Sequence, residues 1–174
     1  MNALLQEPLA KCALSAHLKL HHLGFVVASI RDNGHSLAAA LAGRWDENII
    51  FDPIQGVNVS FIGREDSAEP LIELVEPAGP ASPVSRFLQR GGGLHHLCYE
   101  TPDLEAQLSA GKALGTVVVK TPVPAIAFGG RRIAWALTRN KLLLEFLETQ
   151  SDREPGPIAL RINRSIPDEH QPSR

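Results

Sequence analysis

Four side chains able to hold a cation or move a proton recur in one frame. His22 is followed 51 positions later by Glu73, and His96 is followed 49 positions later by Glu145. Each histidine belongs to a doublet that opens an apolar run, Leu20-His21-His22-Leu23-Gly24-Phe25-Val26-Val27 in one case and Leu94-His95-His96-Leu97-Cys98-Tyr99 in the other. Each glutamate lies inside a strand-like run, Leu71-Ile72-Glu73-Leu74-Val75 or Leu143-Leu144-Glu145-Phe146-Leu147. A frame repeated at nearly equal spacing reads as two related modules. Two neutral imidazoles and two carboxylates form a ligand set for a divalent cation, and their charge cancels that of the ion.

Strand side chains alternate between faces, so each glutamate shares its face with Leu71 and Val75, or with Leu143 and Leu147. A buried carboxylate without a partner costs several kcal/mol or takes up a proton. Metal coordination is one remedy; an arginine partner or an open face is the ordinary alternative. The same alternation places the two members of each His doublet on opposite faces and leaves open which one points inward. Cys98 lies two positions from His96 and shares its face, as a small core residue or as part of a cavity wall.

The elements that must position these groups also repeat. In the first half, a strand over 20–28 leads through Ser29-Ile30-Arg31-Asp32-Asn33 to a helix over 36–43 that ends at Gly43. Strands at about 45–52, 57–63 and 70–76 follow, broken by Pro53, Gly56 and the Arg64-Glu65-Asp66-Ser67 turn. In the second half, a strand over 94–100 leads through Thr101-Pro102-Asp103 to a helix running to about Gly115. Strands near 116–120, 131–138 and 142–149 complete it, separated by Pro122, Pro124 and Gly129-Gly130. The expected organisation is an α+β fold of two βαβββ modules, 18–77 and 92–149, flanking a linker over 78–91 with a helical turn at 84–88. Residues 1–17 form a leader and 150–174 a charged C-terminal extension. Glu76 and Glu148, at strand ends, are expected in solvent.

With 174 residues, 44% of them hydrophobic, the chain can bury a proper core. A net charge of −2 offers no general attraction to nucleic acid or to an anionic membrane. Two cysteines, Cys12 and Cys98, do not make a disulfide framework. The N-terminus lacks a basic segment followed by an apolar core, and no apolar run approaches the roughly 20 residues that span a bilayer. By elimination, the expected location is the cytoplasm.

Three stretches resemble the vicinal oxygen chelate superfamily, the glyoxalase and bleomycin-resistance fold, and within it methylmalonyl-CoA epimerases. They are Leu20 to Val27, the run Ser82-Pro83-Val84-Ser85-Arg86-Phe87-Leu88-Gln89-Arg90-Gly91-Gly92-Gly93-Leu94-His95-His96, and Leu143-Leu144-Glu145-Phe146. The resemblance covers about residues 18–149. It implies two modules whose sheet forms a cup around one metal, with His22, Glu73, His96 and Glu145 as ligands. It also implies a homodimer, in keeping with the prevalence of two-fold symmetry. The chain departs from the family at Gln55-Gly56-Val57-Asn58-Val59-Ser60, where an epimerase's second acid/base group would come from; Asp52 is the nearest acid. Ala136-Leu137-Thr138-Arg139-Asn140 stands where relatives often have His-Pro-Lys, and the first helix lacks their Tyr-rich stretch.

The implied chemistry follows from four protein ligands on a six-coordinate ion. Two open positions can chelate neighbouring oxygens of a small carbonyl substrate, an acyl-CoA among them. The ion polarises the carbonyl and stabilises an enolate as the α-proton leaves. Glu145 is the first candidate for the base and Glu73 the second. Oxygen and nitrogen donors admit Zn, Ni, Co, Mn or Fe. Arg131, Arg132, Arg139 and Lys141 flank the last hairpin and offer a place for a CoA phosphate or an acidic substrate. Epimerase or isomerase chemistry is the leading expectation. A lactoylglutathione lyase is an alternative, as is a small-molecule-binding protein of the antibiotic-resistance type. The fourth ligand argues against a ring-cleaving dioxygenase, which uses two His and one Glu.

Overall fold

The computed structural model describes residues 18–64 and 68–149; the leader, the C-terminal extension and most of the turn after Arg64 lie outside the described residues. The first half contains β1 (Lys19–Val26), α1 (Ile30–Ala40), β2 (Arg44–Trp45), β3 (Ile50–Asp52), β4 (Val57–Gly63) and β5 (Leu71–Pro77). After α2 (Ser85–Gln89) come β6 (Gly93–Thr101), α3 (Leu104–Ala113), β7 (Val117–Pro124), a single 3₁₀ turn at Ile126–Phe128, β8 (Arg132–Leu137) and β9 (Leu143–Glu148). The fold is α+β: one open mixed sheet with few helices. Its order is β2-β4-β5-β1-β6-β9-β8-β7, with β3 also on β4. The central pair, β1 and β6, is antiparallel, while each runs parallel to its outer neighbour, β5 or β9.

Period-two alternation divides the core. Leu74 and Ile62 face outward, where Ile30 and Ala38 of α1 cover them. Leu104 and Leu108 of α3 cover Ala134, Ala136 and Phe146 in the same way. The opposite face carries Val59, Phe61, Val75, Ile133 and Phe128. Leu74, Leu104 and Leu147 are wholly buried, and each such side chain contributes about 1.5–3 kcal/mol. On this second face the sheet curves around a cavity of about 370 Å³.

Several boundaries differ from the sequence reading, each for a local reason. Helix α1 starts at Ile30 because Ser29 caps it, its Oγ accepting from the Asp32 N–H. Asn33-Gly34 resembles a turn, but Gly34 is where the ring of Trp45 lies on the helix; a Cβ there would come within 2.4 Å of it. The expected strand over 45–52 splits into β2 and β3. Asp46 accepts from the Asn48 N–H, and Glu47 takes a left-handed φ of 60°. Strand β7 runs on through Pro122 to Pro124, because it is a sheet edge that pairs with β8 alone. Glu76 and Glu148 are not simply in solvent. Glu76 accepts from the Ile30 N–H at 2.7 Å and from Asn58, and Glu148 pairs with Arg132 at 2.6 Å.

Two side chains join the distant ends of the open sheet across the cavity. Asp52 accepts from the N–H groups of Ile54 and Gln55 with Oδ1, and from that of Ile126 with Oδ2. Lys120 of β7 donates to the Ile54 carbonyl and to Gln55 Oε1. Asp52, the nearest acid of the sequence reading, is therefore a structural clasp whose oxygens are committed to backbone donors. Replacing it (Asp52→Ala) strands three N–H groups beside a buried site. We expect a loss of about 2–4 kcal/mol in denaturant unfolding, and a loss below about 0.5 kcal/mol would contradict this role.

Candidate functional site

The ladder registers explain how four polar groups reach one point. In one row across the sheet, Glu73 of β5, Gly24 of β1 and His96 of β6 stand side by side. In the next row, His22 of β1, Cys98 of β6 and Glu145 of β9 do the same. Each row is a carboxylate and an imidazole flanking a small residue. The rows are related by exchange of the central strands, which is why the sequence repeats. A bulky residue between the partners would fill the site. At Gly24 even a Cβ would lie 1.9 Å from Cε1 of His96, so this glycine is required for close approach. Cys98 is wholly buried among core residues and contributes packing. Burial, together with the charge of Glu145, raises its thiol pKa, so it stays protonated.

The structure brings together all four residues named from sequence. Nε2 of His22 lies 3.1 Å from Nε2 of His96. Oε2 of Glu145 is 3.0 Å from His22 Nε2 and 3.4 Å from His96 Nε2. Oε2 of Glu73 is 3.4 and 3.3 Å from the same two nitrogens. Donors held about 2.0–2.2 Å from one centre stand roughly 2.8–3.6 Å apart in octahedral or tetrahedral arrangements, so this spacing fits a single cation. All four are buried, between 0% exposed for His22 and 5% for Glu73. Oε2 of Glu145 accepts no well-aligned hydrogen bond despite its short contacts, leaving an uncommitted lone pair among the four donors.

Electrostatics point the same way. Burial opposes a charge on His22, yet neighbouring Cys98, Glu73 and Glu145 outweigh it and hold its pKa well above the ordinary value. Burial also opposes a charge on His96, and the close carboxylates of Glu145 and Glu73 again prevail. Burial alone would raise both carboxylates, but the two rings hold each of them below its ordinary value. The site thus demands about two positive charges, as protons or as a divalent ion.

Alternation put the members of each doublet on opposite faces; β-bulges change this. The β1–β6 register skips a residue at His21 and again at His95. The first ring of each doublet thereby reaches the second, with Nδ1 of His21 2.8 Å from Nδ1 of His22, and Nδ1 of His95 3.1 Å from that of His96. Burial and the adjacent ring lower the pKa of both His21 and His95 to about 4, so both are neutral near pH 7. A neutral Nδ1 can accept from its neighbour's Nδ1–H, which turns the Nε2 lone pair of His22 and His96 toward the cluster. Phe128 stacks on His22, and Trp135 meets His96 edge-on.

Glu73, His96 and Glu145 open onto the cavity, whose other walls are mainly apolar, among them Val59, Val75, Val84 and Ile133. The basic rim expected of the last hairpin is only partly available. Arg131 is bound to Glu100 at 2.8 Å, and Arg132 to Glu105 and Glu148. Arg139 and Lys141 are exposed beyond them. Sequence reasoning missed Lys120 and Gln55, which line the cavity; the available signal was a lysine directly after Val117-Val118-Val119. Glu145→Gln and similar changes alter chemistry, whereas Gly24→Ala alters space. Ala at position 24 should cost about 1–3 kcal/mol and shift the ring resonances of His96. Cys98→Ala, which only removes a sulfur, should leave those resonances near their wild-type positions.

Comparison with known proteins places these features. The family model of the Glyoxalase/Bleomycin resistance protein/Dioxygenase superfamily matches residues 21–135. An ethylmalonyl-CoA/methylmalonyl-CoA epimerase of Cereibacter sphaeroides is 31% identical over 121 residues, covering 66% of this chain and 84% of that protein. A hypothetical protein of Bacillus halodurans superposes with a TM-score of 0.68 at 30% identity, over 79% of this chain and 99% of its own. The methylmalonyl-CoA epimerase of Mycobacterium tuberculosis shares the fold, with a TM-score of 0.66 at 24% identity over 76% and 88% of the two chains. Among the described residues, no helix is long and apolar enough to cross a membrane.

Proposed function

The chain belongs to the glyoxalase/bleomycin resistance protein/dioxygenase superfamily, and from that premise we propose that it is a metal-dependent epimerase or isomerase acting on a CoA thioester of the methylmalonyl type. The observation that carries this reading is the buried convergence of His22, Glu73, His96 and Glu145 at the floor of an apolar cavity. A divalent cation held by these four residues would supply Lewis acidity to the thioester carbonyl, making the α-proton acidic.

The chain's own residues do the rest. Apolar walls exclude water and strengthen every charge interaction at the floor. Glu145, whose Oε2 lacks an aligned donor, takes the α-proton. Glu73 stands in the neighbouring row and is the second carboxylate able to exchange a proton. Asp52 serves neither role, because three backbone N–H groups hold it. Cavity-facing Val57 and Val59 of β4 contribute no acid. Return of the proton to the opposite face is epimerisation, and delivery to the adjacent carbon is the glyoxalase-type outcome. The same reading carries a homodimer.

Glu145→Gln preserves an oxygen donor and removes the base. Deuterium exchange at the α-carbon of methylmalonyl-CoA, followed by NMR, should slow by about 10²–10⁴ while the circular dichroism spectrum is unchanged. A variant that exchanges at the wild-type rate would eliminate Glu145 as the base. Exchange on the glutathione hemithioacetal alone would assign the glyoxalase reaction, and exchange on neither substrate would favour a binding protein. Removing the supporting rings should act on the ion rather than on the fold. We expect His21→Phe and His95→Phe each to weaken divalent-metal affinity by about 10–100-fold in competition with a chromophoric chelator. Unchanged affinity in both would reduce these rings to packing.

A further inference from the structure

Inverting a carbon needs proton-transfer groups on two opposed sides of it, and the floor of the cavity supplies only one. Oε2 of Glu73 and Oε2 of Glu145 each lie within 3.4 Å of the same two histidine nitrogens. Both carboxylates therefore stand on one side of anything seated above that cluster. They can take a proton from one face of a substrate and return it to that face. The other face has to be served from the walls.

The titratable wall residues outside the cluster are Asp52, His95 and Lys120. Asp52 holds the N–H groups of Ile54, Gln55 and Ile126 with its two oxygens. His95 is held at the floor, its Nδ1 3.1 Å from that of His96 and its ring edge-on to Phe87. Lys120 remains. Its Nζ donates to the Ile54 carbonyl at 3.1 Å and to Gln55 Oε1 at 2.9 Å. An ammonium carries three N–H bonds, and among the described residues the third meets no acceptor. Asp52 and Lys120 line the same cavity and act on the same turn, so this wall carries one negative and one positive charge. What the lysine adds is a proton that can leave. Its place follows from the ladder. Lys120 pairs with Trp135, and Trp135 with Glu145, so the backbones of Lys120 and Glu145 are two strand spacings, roughly 10 Å, apart. From β7 the lysine stem crosses to the β3–β4 turn at the other end of the sheet. A carbon seated on the floor thus has carboxylates beneath it and the ammonium across from them.

We propose that Lys120 is the second acid/base of the reaction and serves the face of the substrate opposite Glu145. The proposal rests on the epimerase reading above and names the residue that turns proton abstraction into inversion. As the α C–H bond breaks, its proton passes to Glu145 and its electron pair enters the thioester enolate. A new C–H bond then forms on the opposite face with a proton of Lys120, whose N–H electrons stay on nitrogen as a neutral amine. Lys120 is only half-buried and regains a proton from water, and Glu145 releases its own once the product leaves. The reverse reaction uses the same two groups with their roles exchanged.

The test follows single epimers of methylmalonyl-CoA in D₂O with the full-length, divalent-metal-loaded chain. NMR reads α-deuterium, and an auxiliary enzyme that consumes one epimer only reads inversion. Wild type should invert both epimers, with deuterium in the inverted product. Lys120→Met should lower inversion by about 10²–10⁴ and leave exchange, with retention, of the epimer whose α-proton faces Glu145. Lys120→Arg keeps the cation and its donors but does not release its proton, so it should fail to restore inversion; it also carries the test should the Met variant prove unstable by circular dichroism. Inversion at the wild-type rate in either variant would overturn the proposal. So would restoration by Arg, which would reduce Lys120 to a charge, or an equal fall of exchange and inversion, which would make it a binding residue. A wild type that exchanges without inverting would overturn it while upholding Glu145 as the base. A wild type that exchanges neither epimer would instead sink the epimerase reading itself.

Discussion

Two carboxylates buried at the centre of a β-sheet are the constraint around which this chain is arranged. Glu73 and Glu145 stand on the parallel partners of the central strands, where each would be costly alone. Both imidazoles, His22 and His96, are aimed between them from the antiparallel central pair. This arrangement needs β1 and β6 adjacent, β5 and β9 outside them, and a small residue in each row. A central strand displaced by one residue would turn its histidine to the helix-covered face. The sheet order is thus tied to the chemistry at its middle.

The bulges at His21 and His95 belong to the same constraint. A regular strand cannot place two consecutive rings near one site. One extra residue in each strand brings the first ring against the second and adds local twist. The cost is a missing ladder bond in each strand, offset by a ring–ring hydrogen bond that fixes which nitrogen faces the carboxylates. The two halves use the same device but differ between the imidazole and the carboxylate of each row, with Gly24 in one row and Cys98 in the other. At Gly24 the space is taken by the ring of His96, while Cys98 fills the corresponding place with sulfur.

Much of this was legible in the residues. The repeated His and Glu frame, the apolar alternation in β4 and β5, and the Asp103 cap before α3 follow from periodicity and capping chemistry. What escaped was set by partners distant in sequence. The helix expected from Ser36 begins at Ile30, and Gly34 within it leaves room for the ring of Trp45. Pro122 reads as a strand terminator until β7 is known to be an edge. A β-bulge leaves no compositional mark, so alternation assigned the His doublets to opposite faces. Arg131 and Arg132 look like an anion site in sequence, yet Glu100, Glu105 and Glu148 reach them from three other elements, β6, α3 and β9.

The asymmetry between the halves carries the rest of the argument. Symmetry alone would give a cup indifferent to what enters it, and the fold supports several reactions on that basis. The clasp across the cavity mouth is where this chain departs from its own repeat. Asp52 and Gln55 come from the β3–β4 turn, and Lys120 and Ile126 from the opposite edge of the sheet. Asp52 accepts from three backbone N–H groups, which ties the turn to the opposite edge. Lys120 donates to the Ile54 carbonyl and the Gln55 amide oxygen of the same turn. The width of the cavity is therefore set by residues outside the repeated His and Glu frame, where an acidic and a basic side chain from opposite edges of the sheet meet on one turn.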